Sequence, residues 1–284
     1  MKNTYNTHLE LVFRQLKLGK DGVWSSDLPG TEQKVEIQLR EKVAAKKIEN
    51  YLEIIAKHHS IPVMDNEVRR YLDSVPLNSI ILDIGGCWGW HWRNIKNQRP
   101  DIHIIIVDFI RSNLHHAKIL LGSLVGEQIE LVHADATTLP FPCDIFDGIW
   151  TVQALQHIPS YIKVFHESYR VLKKNAKFIN YSLHITPITK LIYSVLGKDY
   201  HEDGDIKDLF YLRRANKKQK EELSAIFNGD IVDKYCECFF HPDLRLTFTG
   251  KEQSWMGKLD YYFGSLSIVS RLFARQRGFE VIKL

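Results

Sequence analysis

Three acidic residues end three short apolar runs in this chain, and a glycine-rich turn follows the first. Ile80-Ile-Leu-Asp83 runs into Ile-Gly-Gly-Cys-Trp-Gly89, with three glycines in five positions. Ile102-His-Ile-Ile-Ile-Val-Asp108 and Ile129-Glu-Leu-Val-His-Ala-Asp135 also end on an acid. An apolar run that stops at such a turn reads as a buried parallel strand leading through a tight loop into a helix. Glycine admits backbone conformations closed to other residues and lets a ligand approach closely. The pattern is therefore a cradle for a nucleotide-like ligand. Dinucleotide sites share the glycine loop and the acid ending the second strand. Here, however, Asp83 stands directly before the loop, giving Asp-x-Gly-x-x-x-Gly. A carboxylate there repels a pyrophosphate and suits a ligand carrying an ammonium group.

Those acids must sit on a sheet, and the order of elements supplies one. Strands are expected at Ile80–Asp83, Ile102–Asp108, Ile129–Asp135, Phe146–Gln153 and Lys177–Leu183. Helices are expected between them, one after the glycines, one through Leu114, Ala117, Leu121 and Leu124, and one over Tyr161–Leu172. Alternating strands and helices make a parallel sheet covered on both faces. Ligands in such sheets bind beyond the carboxyl ends of the strands, where Gly85–Gly89, Asp108, Asp135 and Gln153 all fall.

Outside this core, Glu36–His59 reads as one long amphipathic helix with Leu39, Val43, Ile48, Leu52 and Ile55 as its apolar positions. Asp65 is a candidate cap for a second helix through Val68 and Leu72. Asn216 is a candidate cap for a helix reaching Phe227. Ile231–Phe240 alternates like a strand that puts Cys236 and Cys238 on one face, and Leu266–Gln276 and Phe279–Leu284 read as a final helix and strand. His201–Asp205 is a polar loop. Arg213–Lys220 is a basic run, either a solvated helix start or a site for an anionic substrate.

The 284 residues are 44% hydrophobic and 25% charged, ordinary for a folded protein. A net charge of +4 does not by itself argue for a nucleic-acid partner. The four cysteines, Cys87, Cys143, Cys236 and Cys238, are irregularly spaced, as in a reduced intracellular protein, and neither they nor the histidines have metal-site spacing. Met1–His8 lacks the apolar core of a signal peptide, and no run approaches a membrane span. A cytoplasmic protein without a metal is expected.

Ile81-Leu-Asp-Ile-Gly-Gly-Cys-Trp-Gly89, Val107-Asp-Phe109, His133-Ala-Asp-Ala-Thr-Thr-Leu-Pro-Phe141, Phe146-Asp-Gly-Ile-Trp-Thr-Val-Gln-Ala-Leu-Gln-His157 and Glu167-Ser-Tyr-Arg-Val-Leu-Lys173 occur in that order. Together they resemble class I S-adenosylmethionine-dependent methyltransferases, of the group that includes ubiquinone and menaquinone biosynthesis enzymes. The resemblance covers roughly residues 78–184. It implies an α/β, Rossmann-like, mostly parallel seven-stranded sheet with one antiparallel strand at its edge. Ile231–Phe240 and Phe279–Leu284 can supply the last two strands. Residues 1–75 would form an N-terminal helical lid or arm, and residues 76–284 the methyltransferase domain, with an acceptor-binding insertion at 184–270.

By the same resemblance, Asp83 and the loop of Gly85, Gly86, Cys87 and Gly89 would face the methionine part of S-adenosylmethionine. Asp108 would accept from the ribose hydroxyls, Phe109 would lie against the adenine, and Asp135 with the Ala136 amide would read its edge. Gln153 would sit near the methionine end. Cys87 stands where the family has its middle glycine, so a positive φ there would carry a cost. Each acid could instead be a helix cap; three strand-end acids in series favour cofactor contact. Of Trp88, Trp90 and Trp92, only Trp88 lies in the loop. His157 and His184 are the candidate bases, and His157 could equally order its own turn.

The reaction expected is methyl transfer to a small-molecule acceptor, a hydroxyl of a sugar or secondary metabolite, by a monomer or homodimer. The rivals are an RNA methyltransferase, a non-catalytic cofactor-binding partner subunit and an NAD-dependent enzyme, the last disfavoured by Asp83.

Overall fold

Period-2 alternation sorts the strand residues onto two faces of one sheet. Ile80, Leu82 and Ile84 point into one apolar cluster with Ile105, Val107, Phe165 and Phe227, while Ile81 joins Ile104, Ile106, Trp92 and Trp150 in the other. The computed structural model describes residues 9–26, 41, 48–184, 186–197, 215–244 and 254–284. The polar loop at 201–205, Arg213, Arg214 and the expected apolar positions Leu39 and Val43 lie outside them.

The strands are β1 (Lys17–Leu18), β2 (Trp24–Ser25), β3 (Ile80–Ile84), β4 (His103–Asp108), β5 (Ile129–His133), β6 (Phe146–Val152), β7 (Leu172–Leu183), β8 (Val232–Cys236) and β9 (Gln276–Ile282). Among the described residues they form a single sheet in the order β1-β2-β5-β4-β3-β6-β7-β9-β8. The α/β, Rossmann-like fold is as expected, and the strands from β5 to β8 are its seven. The two further strands come from the N-terminal segment, where Trp24 and Ser25 pair parallel with Val132 and His133 of β5. Among the seven, β9 alone runs antiparallel to both of its neighbours. It lies second from the edge, with β8 outside it, because the chain reaches β8 first and then turns back between β8 and β7.

From residue 48 onward the described α-helices are α1 (Tyr51–Ile55), α2 (Ile61–Ser74), α3 (Ile95–Gln98), α4 (Arg111–Leu121), α5 (Tyr161–Val171), α6 (Pro187–Val195), α7 (Lys217–Phe227), α8 (Ser254–Gly264) and α9 (Ser267–Phe273). Asn216 caps α7 as its position predicts, accepting from the Gln219 amide at 2.9 Å. Four expectations need correction. The single helix over 36–59 is interrupted: Asn50 is extended, with φ −130°, and its side chain caps α1 by accepting from Glu53 N. The next helix begins at Ile61 rather than at Asp65, with proline in its first turn; Asp65 is spent on a two-point ion pair with Arg93 at 2.8 and 2.6 Å. The strand expected to run to Phe240 stops at Cys236, since Glu237 turns left-handed at φ 58°. That turn aims the amides of Cys238 and Phe239 at the Asp260 carboxylate, at 2.8 and 3.1 Å. The last helix ends at Phe273, and Gln276 already belongs to β9.

Candidate functional site

The carboxyl ends of β3, β4, β5, β6 and β7 bring Asp83, Asp108, Asp135, Gln153 and His184 to one side of the sheet. Asp83 is 1% exposed and lies in register with Ile106 on one neighbouring strand and Trp150 on the other. The indole Nε1 of Trp92 donates to its Oδ2 at 2.7 Å. Burial, opposed by that hydrogen bond and reinforced by the nearby charge of Asp108, raises its pKa to about 7. Asp83 is thus a buried acid that a cation would ionise.

The loop after β3 is shaped around this acid. Gly85 sits at φ 69°, and a Cβ there would lie 2.4 Å from the Cβ of Ala154. A Cβ on Gly86 would lie 2.4 Å from Asp83 Oδ2. Cys87 takes φ 51° and Gly89 φ 65°, so the cysteine occupies a left-handed position without being glycine. The loop nevertheless closes: the Gly89 amide donates to Gly86 O at 2.8 Å, and the Cys87 amide to Asp108 Oδ2 at 3.0 Å.

A regular α-helix does not follow the loop. Trp90–Trp92 form one 3₁₀ turn, and helical structure resumes only at Ile95. Trp90, His91 and Trp92 are all buried. Three consecutive buried side chains exceed what one stripe of a sheet-covering α-helix can hide, and the tighter turn returns the Trp92 indole to Asp83.

Asp108 is buried, and its Oδ1 accepts from the Ile110 amide at 2.8 Å and from Asn113 Nδ2 at 3.3 Å. One acid thus fixes both the glycine loop and the start of α4. Phe109 is half-buried beside it. Asp135 accepts from the amide and hydroxyl of Thr137, both at 2.8 Å, which sets the turn carrying the buried Ala136.

Gln153 follows β6 at φ 53°, its amide donating to Tyr181 O at 2.8 Å. Its Nε2 reaches His59 Nδ1 at 3.5 Å. His59, between α1 and α2, was not among the residues expected at the site. Its ring lies 5.4 Å from that of Trp90 and 6.4 Å from that of His91. Burial lowers its pKa to about 4, so the imidazole is neutral at neutral pH. No spacing in the sequence marks it, because it meets Gln153 across 94 positions. Trp88, also half-buried, stacks edge-on with Tyr51 at 5.3 Å and lies 5.5 Å from His116. His157 Nε2 lies 3.2 Å from Gln156 Nε2, and the His184 ring lies 6.3 Å from that of Tyr235.

A second polar cluster adjoins this side of the sheet, where β8 ends and β9 begins. Glu237, fully buried, receives Arg275 at 2.7 Å and the Ser60 amide at 2.6 Å, and Arg275 Nε reaches Asp243 at 3.0 Å. Among the described residues of the basic run, Lys217 and Lys218 pair with Glu221 and Glu222 of their own helix, and Lys220 with Asp233 of β8. Among the described residues, no group of His, Cys, Asp and Glu is arranged to hold a metal ion, and no helix is long and apolar enough to cross a membrane.

Residues 82–180 match a family model described as a methyltransferase domain. The demethylmenaquinone methyltransferase of Oceanobacillus iheyensis is 36% identical over 143 residues, 46% of this chain and 59% of that protein. The chain spans between 40% and 59% of the length of such curated relatives. Among solved structures, Haemonchus contortus phosphoethanolamine N-methyltransferase 2 in complex with S-adenosyl-L-methionine is 17% identical with a TM-score of 0.51, over 77% of this chain and 52% of that one. The [4+2]-cyclase SpnF is 16% identical with a TM-score of 0.55, over 90% of this chain and 97% of that one. At these identities the structures establish the shared fold, and the cyclase illustrates that the fold alone does not decide the reaction.

Proposed function

We propose that this chain, whose core is a class I S-adenosylmethionine-dependent methyltransferase domain, binds that cofactor beyond the carboxyl ends of β3 to β6 and methylates a small organic acceptor. One observation carries the reading: two buried acids, Asp83 and Asp108, bracket a glycine loop whose first residues have no room for a side chain. The donor set fits a ligand that is cationic at one end and carries hydroxyls at the other. It does not fit a pyrophosphate, which Asp83 would repel.

In this reading Asp83 and the loop hold the amino-acid end of the cofactor, and Asp108 receives the ribose hydroxyls. Phe109 covers the adenine, and Asp135 and the Ala136 amide contact its edge. S-adenosylmethionine, when bound, supplies a methyl group already activated by its sulfonium. The protein's task is then alignment and exclusion of water. Gln153 would sit near the methionine end; its backbone amide bonds to Tyr181 O and its side chain reaches His59. His59 offers a neutral ring nitrogen on the acceptor side, and we give it the role of orienting the acceptor. His157, whose Nε2 lies against Gln156, and His184 stay the two candidate bases of this proposal, with ordering of its own turn the alternative for His157.

The acceptor is the open part of the proposal. A hydroxyl of a sugar or secondary metabolite fits a base-assisted transfer. The relatives' name favours a demethylmenaquinone-like acceptor. Incubating the protein with methyl-labelled cofactor and separate polar and lipid metabolite extracts tests both. Label in a polar product supports the first, label in a lipid product the second, and label in neither extract would refute small-molecule methylation.

A further inference from the structure

Both peptide groups that flank His59 are held by one buried ion pair. Arg275 Nη1 donates to the carbonyl of His58 at 2.9 Å, and Glu237 Oε1 accepts from the amide of Ser60 at 2.6 Å. The same Nη1 donates to Glu237 Oε2 at 2.7 Å, which closes the clamp. The amide of His59 itself donates to Ile55 O at 2.9 Å, at the end of α1. Residues 58–60 join α1 to α2, and their backbone is anchored at successive points. What this backbone carries to the strand ends is the His59 ring, 3.5 Å from Gln153 Nε2.

Stability alone does not call for such a pair. Glu237 is fully buried and takes φ 58°, a left-handed position for a residue other than glycine. Burial works against its charge, but Arg275 and the Ser60 amide hold its pKa below the ordinary carboxylate value. Apolar side chains of similar volume often stabilise a core as well as a buried ion pair does. They cannot hold a carbonyl and an amide on either side of one imidazole. Strained non-glycine residues persist where the surrounding structure fixes them, and they gather at functional sites. The backbone of Arg275 extends the arrangement. Its amide donates to Glu237 O at 3.1 Å, and its carbonyl accepts from the amide of His184 at 2.9 Å.

We propose that Glu237 and Arg275 are positioning residues, which hold the His59 imidazole against Gln153. The use of that imidazole by an acceptor rests on the methyl-transfer reading above; the holding of the ring does not.

Imidazole nitrogen NMR of the full chain, made with isotopically labelled histidine, tests the clamp. His59→Gln identifies the His59 signals among those of the 13 histidines. In the wild type the His59 ring should be a single neutral tautomer at neutral pH. Glu237→Asp keeps a charge beside Arg275 and withdraws the carboxylate from the Ser60 amide. Arg275→Lys keeps a charge beside Glu237 and removes the planar fork. Either variant, with native circular dichroism, should average His59 between its two tautomers. The His184 signals should stay in place, because the Arg275 carbonyl is unchanged. Label transfer from methyl-labelled S-adenosylmethionine into an accepting extract should slow about tenfold, with the Kd for the cofactor within about twofold. Unaltered His59 signals in a folded variant would overturn the proposal. Where neither variant folds, hydrogen exchange of the wild type decides. A protected Ser60 amide supports the clamp, and one that exchanges as fast as a free amide overturns it. Averaged His59 signals with undiminished transfer support the clamp and remove His59 from the chemistry. No transfer by the wild type counts against the methyl-transfer reading, and the imidazole signals still decide the clamp.

Discussion

The indole of Trp92 reaches back across the glycine loop and donates a 2.7 Å hydrogen bond to the buried carboxyl of Asp83. The contact is made by a residue nine positions later, through a 3₁₀ turn that hides three aromatic rings at once. It partly offsets the burial that raises Asp83 to about 7. An acid raised above its ordinary 3.8 favours the folded state when protonated, so its contribution to stability declines as pH climbs from about 4 through about 7. A cationic ligand reverses that preference and expels the proton. Calorimetry at pH 6.5 in buffers of different ionisation heat should show release of on the order of 0.7 proton per S-adenosylmethionine bound. Asp83→Asn should bind more weakly and release none. Equal proton release in both proteins would show that Asp83 does not face the cation.

Cys87 sits at φ 51° where glycine would be unstrained. Replacing it with glycine should stabilise the protein by about 1 kcal/mol, read as a higher Tm, and leave cofactor affinity intact, because the Asp108 contact uses its backbone amide. Gly85→Ala should do the opposite, since its Cβ would collide with Ala154. A lower Tm for Cys87→Gly would mean that the thiol makes a contact worth more than the backbone strain.

His59 is the test of the acceptor side. With an acceptor in hand, His59→Ala should lower kcat about a hundredfold while the Kd for S-adenosylmethionine stays within twofold. An equal loss in both would make His59 a support for the cofactor loop. Unchanged kcat would remove it from the chemistry.

Arg275 and Glu237 form a buried ion pair at 2.7 Å, with Ser60 and Asp243 completing it. Arg275→Met leaves Glu237 charged and unpaired, and should cost about 3–5 kcal/mol in denaturant unfolding. A loss below about 1 kcal/mol would mean that water reaches the carboxylate.

The sheet and its acids were legible because both are local signals. Apolar runs ending at Asp83, Asp108 and Asp135 fix strands, strand ends and one side of the molecule together. Asn216 was legible for the same reason: a cap and its helix are neighbours in sequence. What escaped depends on contacts between distant segments. Glu237 reads as one more residue of an alternating strand until Asp260, from α8, gathers the amides that follow it. His59 reads as the end of a long helix until Asn50 restarts the chain and the turn between α1 and α2 sets it against Gln153. The Trp90–Trp92 turn was missed because helical spacing does not register that all three residues are buried.

The central claim is that the strand-end acids hold S-adenosylmethionine, and Asp108 tests it most directly, since it also ties Cys87 and Ile110 to the site. The measurement is a calorimetric titration of the purified chain with S-adenosylmethionine, repeated with Asp108→Ala. The wild type should give one saturable site, and the variant should bind at least tenfold more weakly while keeping native circular dichroism. No heat with the wild type, or undiminished binding by the variant, would contradict the account.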